Sequence, residues 1–221
     1  MTTLLNFRDK TIFPPFASLP ESNTLVDATP PHRRWCFIGQ IISVQATYYF
    51  DIELRIMDTS GSFVRVGFAS PVEHAEILEL QRDILKPAGC IMVLDAVQSK
   101  ITAAEMGIVI SDVSMVKVVP YHLNRLLSFS DKIQYYNYVV DGKRVCYGCG
   151  KWKIVLYACS QCRLVCFCNR VCQEVGLYER EHVVDCPDLR DKDFDALLKG
   201  RWEDLDHFHS FLLGGYRVEG R

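Results

Sequence analysis

Alternating apolar and polar side chains give the clearest pattern in the first half of the chain. Between residues 50 and 57, Ile52, Leu54 and Ile56 alternate with polar or charged neighbours. A period of two is typical of a strand with one buried face. Together with the other apolar runs of this half, the pattern predicts five strands, over residues 35–44, 50–57, 63–68, 90–94 and 108–119.

A helix start lies between the third and fourth predicted strands. Ser70, Pro71 and Glu73 supply an N-cap, a proline at the first helical position and a capping acid, and they predict a helix that runs to about Leu85. The order of three strands, a helix and two strands resembles an OB-fold. This resemblance covers residues 34–120 and implies a small β-barrel, although other small barrels share the pattern.

Three further segments flank this region. Residues 1–33 contain five of the nine prolines, which predicts an extended or disordered arm. Residues 121–142 are predicted to form a helical linker. Residues 191–221 are predicted to form an amphipathic C-terminal helix and tail, because apolar residues recur there at helical spacing. Those residues are Phe194, Leu197, Leu198, Trp202, Leu205, Phe208 and Leu212.

Composition restricts the class of protein. Of the 221 residues, 49% are hydrophobic and 24% are charged, which is typical of a folded globular chain. No run approaches the roughly 18 apolar residues of a membrane helix, and charged residues from Arg8 onward precede any signal-peptide core. We therefore expect no membrane partner and a reducing compartment, either the nucleus or the cytoplasm.

Cysteine is concentrated in one window, because eight of the ten cysteines fall between Cys146 and Cys186. Seven of them, with His182, form two Cys-x2-Cys pairs, a Cys-x3-Cys pair and a final His-x3-Cys pair, and such spacing indicates metal ligation. A Cys-x2-Cys pair fits one tight knuckle, and the last two pairs have the spacing of residues that share a face of one helical turn. Thiolate and imidazole donors favour zinc, and four protein ligands per ion make a closed structural site. The donors predicted to hold two zinc ions are Cys146, Cys149, Cys159, Cys162, Cys168, Cys172, His182 and Cys186.

The order of six cysteines, one histidine and a last cysteine resembles the MYND-type zinc finger. The Cys-Gly-Lys sequence that ends the first pair, Phe167 and Gln173 add to the resemblance. The resemblance implies a cross-braced module, in which alternate pairs of donors share an ion and Cys166 is not a ligand. A HIT-type finger brings its histidine much sooner, and a RING places histidine between the second and third pairs, so both fit less well. By the resemblance, one ion is held by Cys146, Cys149, Cys168 and Cys172, and the other by Cys159, Cys162, His182 and Cys186.

The same resemblance implies a surface for proline-containing peptides. The family grips such ligands with a glutamine and a tryptophan, which correspond here to Gln173 and Leu177, with Tyr178 as the nearest aromatic residue. The chain departs from the family in replacing that tryptophan and in placing nine residues between Cys172 and His182, a longer separation than is common. We expect partner contacts through Gln173, Leu177 and Tyr178.

Charge separates two functional hypotheses. Residues 143–170 contain six basic and no acidic side chains, a net charge of about +3 once thiolates and zinc ions are counted. Residues 35–120 contain six basic and ten acidic side chains, which disfavours nucleic acid. The alternative, binding of single-stranded nucleic acid by the barrel, stays open because Tyr48, Tyr49 and Phe63 are available for stacking.

The sequence as a whole predicts an α+β protein with an OB-like barrel (34–120), a MYND-like two-zinc finger (143–190) and a C-terminal amphipathic helix. Its predicted role is a protein–protein interaction adaptor, with transcriptional regulation as one setting. We expect no enzymatic activity, because the chain has no glycine-rich phosphate loop, no nucleophile elbow and no HExxH helix.

Overall fold

A computed structural model of the chain describes residues 4–22, 34–50, 52–69, 87–112, 115–119, 121–190 and 197–199. The described residues form two compact units, one drawn from residues 7–126 and the other from residues 4–6 and 127–199. The fold is α+β, with a large sheet in the first unit and short strands with helices in the second. Within these ranges, every helix is too short or too polar to cross a bilayer.

One seven-stranded sheet builds the first unit. Its strands are β1 (Cys36–Gln45), β2 (Glu53–Asp58), β3 (Phe63–Phe68), β4 (Cys90–Leu94), β5 (Ser99–Lys100), β6 (Met106–Ile110) and β7 (Val116–Val119). They pair in the order β5-β6-β3-β2-β1-β4-β7. Neighbours are antiparallel except β3 and β6, which run parallel. The first four strands correspond to the first four predicted ones.

The predicted strand over residues 108–119 is split into β6 and β7. The first part pairs with β3 and the second with β4, which lie on opposite sides of the β1–β2 pair. The two parts of this one predicted strand therefore pair on opposite sides of the sheet, β6 next to β3 and β7 at the edge next to β4.

The buried face of β2 follows the predicted alternation, with one addition. Ile52, Leu54 and Ile56 are fully buried. Glu53 is also buried, and Arg65 donates hydrogen bonds of 2.9 Å and 2.5 Å to its two carboxylate oxygens. The bidentate pair satisfies a charge that alternation alone would place in solvent. The core around it contains Leu19, Phe37, Ile41, Ile52, Leu54, Ile56, Val64, Val66, Phe68, Ile91, Val93, Ala96, Ile108, Ile110, Val116 and Val118.

Residues 7–22 differ from the predicted extended or disordered arm. Phe7, Phe13 and Leu19 are buried, and Leu19 belongs to the hydrophobic core that packs on the sheet. The side-chain amide of Gln98 donates a 2.9 Å hydrogen bond to the carbonyl oxygen of Leu19. The prolines make this segment irregular, but its apolar side chains are still stabilised by burial in the first unit.

The second unit contains most of helix α1 (Leu123–Asn137), which occupies the predicted linker. Its other elements are β8 (Arg144–Val145), β9 (Trp152–Lys153), β10 (Tyr157–Ala158), β11 (Cys166–Phe167), α2 (Arg170–Tyr178) and α3 (His182–Leu189). Strands β8 and β9 form one hairpin, and β10 and β11 form another.

Two predicted helices fall largely or wholly outside the described residues. The helix predicted from Pro71 to about Leu85 lies entirely outside them. The C-terminal helix predicted within residues 191–221 is described only at 197–199, where Leu197 and Leu198 are buried.

Candidate metal centres

Two tight knuckles carry the first and second cysteine pairs. In the first, the N–H of Gly150 donates to the carbonyl oxygen of Cys146 at 2.9 Å, and Gly150 has a φ of 70°. In the second, the N–H of Arg163 donates to the carbonyl oxygen of Cys159 at 3.0 Å, and Arg163 has a φ of 59°. Each knuckle therefore ends in a left-handed residue, which glycine adopts freely and arginine only at a cost.

The third pair does not lie on one helical turn, contrary to the expectation from its spacing. Helix α2 begins at Arg170, so Cys168 precedes it and only Cys172 lies within it. Between them, the side chain of Asn169 caps the helix by accepting a 2.9 Å hydrogen bond from the N–H of Cys172. The cap fixes the position of Cys172 relative to Cys168.

The fourth pair lies on helix α3, as its spacing predicts. His182 and Cys186 stand four residues apart on that helix. The long separation from Cys172 is accommodated by a break between α2 and α3, where Glu181 adopts a left-handed conformation with a φ of 58°. A single continuous helix is therefore replaced by two short ones.

The first and third pairs come together in space. The Sγ atoms of Cys146, Cys149, Cys168 and Cys172 all lie within 4.8 Å of one another. Cys149 Sγ is 3.7 Å from Cys168 Sγ, and the backbone N–H of Cys168 donates to Cys146 Sγ at 3.3 Å. Cys146 is buried, whereas Cys149 is exposed. We call this group the four-thiol centre.

The second and fourth pairs form a fully buried group, which we call the histidine centre. The Sγ atoms of Cys159 and Cys186 are 3.8 Å apart. His182 Nε2 lies 3.4 Å from Cys159 Sγ and 3.6 Å from Cys162 Sγ, so this nitrogen faces the thiols. All four side chains are buried, and their donor atoms lie within 4.8 Å of one another.

Both centres have the dimensions of a tetrahedral zinc site. Zinc–sulfur bonds of about 2.3 Å place two sulfurs about 3.8 Å apart, and a zinc–nitrogen bond of about 2.0 Å gives a sulfur–nitrogen separation of about 3.5 Å. The observed Sγ–Sγ distances are 3.7 and 3.8 Å, and the Sγ–Nε2 distances are 3.4 and 3.6 Å. A disulfide would need about 2.05 Å. Each centre can therefore hold one metal ion.

Local electrostatics affect the thiols in opposite ways. Burial opposes ionisation of Cys146, but hydrogen bonds from the backbone N–H groups and the thiols of Cys149 and Cys168 together outweigh it and lower the pKa of Cys146 to about 7. Burial raises the pKa of Cys162 to about 12. A divalent cation is what allows thiols in so buried a position to ionise together.

The two residues inside the first knuckle pack against ligand residues, Tyr147 against the histidine centre and Gly148 within the four-thiol centre. Tyr147 is buried, its ring lies 5.2 Å from the His182 ring, and its hydroxyl donates to the carbonyl oxygen of Arg180 at 3.1 Å. A Cβ atom on Gly148 would lie 2.1 Å from the carbonyl oxygen of Cys172. Sequence reasoning missed both roles, although Tyr147 and Gly148 are the two residues between the first pair of cysteines.

The predicted partner-binding residues are not all brought together. Gln173, half-buried on α2, borders a shallow groove that Tyr157 and Phe167 also line. Leu177 is half-buried and Tyr178 is exposed, and neither lines this groove. Cys166 lies outside both centres and is buried.

Comparison with known proteins adds little to this geometry. No protein-family model matches the chain, and no curated protein matches its sequence. One solved structure with some similarity is the S. pombe Stn1-Ten1 complex, at 14% identity over 46% of this chain and 79% of that chain, with a TM-score of 0.32. A similarity this weak supports no conclusion about the fold or the function.

Proposed function

We propose that the chain is a zinc-dependent adaptor for protein–protein contacts, with an OB-like barrel and a MYND-type finger, and that it acts in the nucleus or cytoplasm. The observation that carries this proposal is the grouping of the donors, first pair with third and second pair with fourth. That interleaving is the arrangement that the MYND resemblance implies. It ties residues 146–186 into a single module.

The closed coordination supports a structural role for the metal. Four protein donors fill a tetrahedral shell, so no position is left for a substrate. A structural zinc ion contributes on the order of 10 kcal/mol to the folding of a small module. We therefore propose two zinc ions as folding elements and no catalytic activity.

The groove beside Gln173 supports recognition of a proline-containing segment. Tyr157 is 66% exposed, so one exposed aromatic ring flanks the amide of Gln173, whereas Phe167, which also lines the groove, is itself buried. Proline rings pack on exposed aromatic side chains, and a side-chain amide can hydrogen-bond the peptide backbone. Leu177 and Tyr178, further along α2, are proposed to contact residues of the ligand beyond the groove.

A peptide array tests this function with the full zinc-loaded chain. We expect proline-containing peptides to bind the wild type and to lose affinity about tenfold with Gln173→Ala or Tyr157→Ala, the loss of one well-placed contact. Tyr48→Ala serves as the matched control, since Tyr48 is an exposed tyrosine of the barrel unit. Binding that survives both groove variants would contradict the proposal.

A second candidate function is binding of single-stranded nucleic acid by the barrel. Tyr48 and Tyr49 are 97% and 59% exposed, and the guanidinium of Arg55 lies 4.6 Å from the ring centre of the exposed Phe63. Exposed aromatic and arginine side chains are stacking partners for bases. An oligonucleotide titration in which Tyr48→Ala lowers affinity, while Tyr157→Ala does not, would favour this function over the adaptor.

A further inference from the structure

The hairpin of β8 and β9 presents apolar side chains that the proposed groove does not use. Trp152, Ile154 and Val155 are 41%, 72% and 69% exposed. Tyr138 and Val140, just before the hairpin, are 65% and 40% exposed. Neither the peptide groove nor the metal centres involve any of these side chains. We call the five residues together the hairpin strip.

One ring contact and adjacency along the chain connect the residues of the hairpin strip. The rings of Tyr138 and Trp152 pack edge to face with their centres 6.5 Å apart. Val140 exchanges two backbone hydrogen bonds, of 3.0 and 2.8 Å, with Lys143. The contact between Tyr138 and Trp152 joins the two parts of the strip, and Ile154 and Val155 follow directly on the last residue of β9. Apolar surface gathered in this way is typical of an interaction site.

The backbone beyond β9 is free to pair. Within the described part of the chain, neither Ile154 nor Val155 makes a hydrogen bond, although both follow directly on Lys153, the last residue of the strand. An extended peptide that lies along this segment would find unpaired N–H and C=O groups together with exposed side chains. Those are the two requirements for adding a strand to a sheet edge.

The positive charge beside the hairpin strip favours an acidic peptide. Lys143, Lys151 and Lys153 are exposed, and none of them forms an ion pair with a described residue. From residue 143 to 170 the chain has no acidic side chain, and its net charge is about +3 with both zinc ions counted. Three unpaired lysines beside apolar side chains complement acidic residues that alternate with apolar ones.

We propose that the hairpin strip is a second docking site on the finger, and that it takes an extended acidic segment of a partner protein. Apolar side chains of that segment pack on Trp152, Ile154 and Val155, and its backbone pairs with the segment that follows β9. Its carboxylates contact Lys151 and Lys153. The site is separate from the groove beside Gln173 and does not depend on a proline-containing ligand.

The test uses the full zinc-loaded chain and a labelled twelve-residue peptide that alternates glutamate with leucine and phenylalanine. Fluorescence anisotropy should show binding that falls about tenfold with Ile154→Glu and with the pair Lys151→Glu and Lys153→Glu, since each removes a central contact. Tyr48→Glu is the matched control and should bind like the wild type. A peptide with lysine in place of glutamate should not bind.

Further readouts separate this site from the other possibilities. The amide signals of Ile154 and Val155 should shift in nuclear magnetic resonance spectra when the acidic peptide is added. Gln173→Ala should leave the affinity for this peptide unchanged. Failure of the proposed hairpin site can therefore be told apart from failure of the proposed groove. Four outcomes overturn the proposal. The first two are no binding of the acidic peptide and Ile154→Glu binding as tightly as the wild type. The third is a dimer in sedimentation that Ile154→Glu dissociates, and the fourth is tighter, lysine-dependent binding of a single-stranded oligonucleotide.

Discussion

Gly148→Ala is the most informative single substitution in the finger. Gly148 lies inside the first knuckle, where its Cα approaches the backbone of helix α2. An added Cβ would lie 2.1 Å from the carbonyl oxygen of Cys172, and 2.7 and 2.8 Å from that residue's carbonyl carbon and Cα. All three atoms belong to the backbone of a proposed zinc ligand, so no side-chain rotation can relieve the contact.

The size of the effect follows from these distances. Real Cβ atoms essentially never come within 3.0 Å of another heavy atom, so the two backbones must separate by at least 0.9 Å, the difference between 3.0 and 2.1 Å. Metal–ligand distances vary by only about 0.2 Å, so the four-thiol centre cannot absorb that displacement. Overpacking of this kind costs about 1–3 kcal/mol, which corresponds to about a 5- to 150-fold loss of zinc affinity.

The assay is a competition titration with a zinc chelator, read as zinc bound per chain. We expect Gly148→Ala to release the ion of the four-thiol centre at a lower chelator concentration than the wild type. Gly142→Ala is the control for an added methyl group away from the centres, because a Cβ there meets nothing within 4 Å. Gly142 has a φ of 72°, which Gly148 does not share, so alanine is strained there by its backbone alone and not by a contact with a zinc ligand. If Gly148→Ala and the wild type release zinc together, the close approach does not position Cys172 and the reasoning fails.

Three other predictions concern stability. Arg65 donates hydrogen bonds that lower the pKa of Glu53, so the ionised carboxylate stabilises the fold at any pH above its unfolded pKa of about 4.3. This stabilisation is lost as the pH falls through the lower pKa of the folded state. Glu53→Gln should therefore lower the free energy of unfolding in urea by about 1–3 kcal/mol at pH 7, and the difference from the wild type should shrink in acid. Asn169→Ala removes the cap of α2 and should cost about 1 kcal/mol by chelator-coupled unfolding, whereas Asn169→Asp should cost little. Arg163 has a φ of 59°, so Arg163→Gly should leave the finger as stable as the wild type, or up to about 1 kcal/mol more stable, in thermal unfolding. Gly150 has a φ of 70°, so Gly150→Ala should destabilise the finger. Equal losses of stability in the two variants would contradict this prediction.

Cysteine spacing indicated the donor groups because three of the four pairs are set by local backbone geometry, whereas the third pair is divided by the start of α2. A Cys-x2-Cys pair fits one knuckle, and a His-x3-Cys pair fits one helical turn, whatever surrounds them. The cross-bracing, in contrast, came from a family resemblance, since spacing alone does not say which pairs share an ion. The roles of Tyr147 and Gly148 depend on contacts with α2, which no local pattern reveals.

In the first unit, local patterns predicted the first four strands but not the order in which the strands pair. Alternation placed Leu54 and Ile56 in the core, whereas burial of Glu53 required Arg65 on a neighbouring strand. The packing of Leu19 into the core was missed for a related reason, because proline-rich composition predicts an irregular backbone, and an irregular backbone can still bury its apolar side chains. Contacts between distant segments decided both cases.

The most direct test of the central claim is native mass spectrometry of two double variants, because it asks which cysteines share an ion. Cys146→Ser with Cys172→Ser removes two donors from one centre, so the chain should retain one zinc ion. Cys146→Ser with Cys159→Ser removes one donor from each centre, so the chain should bind zinc weakly at both and be observed without metal. The opposite pattern, one ion kept by the second variant and none by the first, would show sequential pairing and contradict the cross-braced finger.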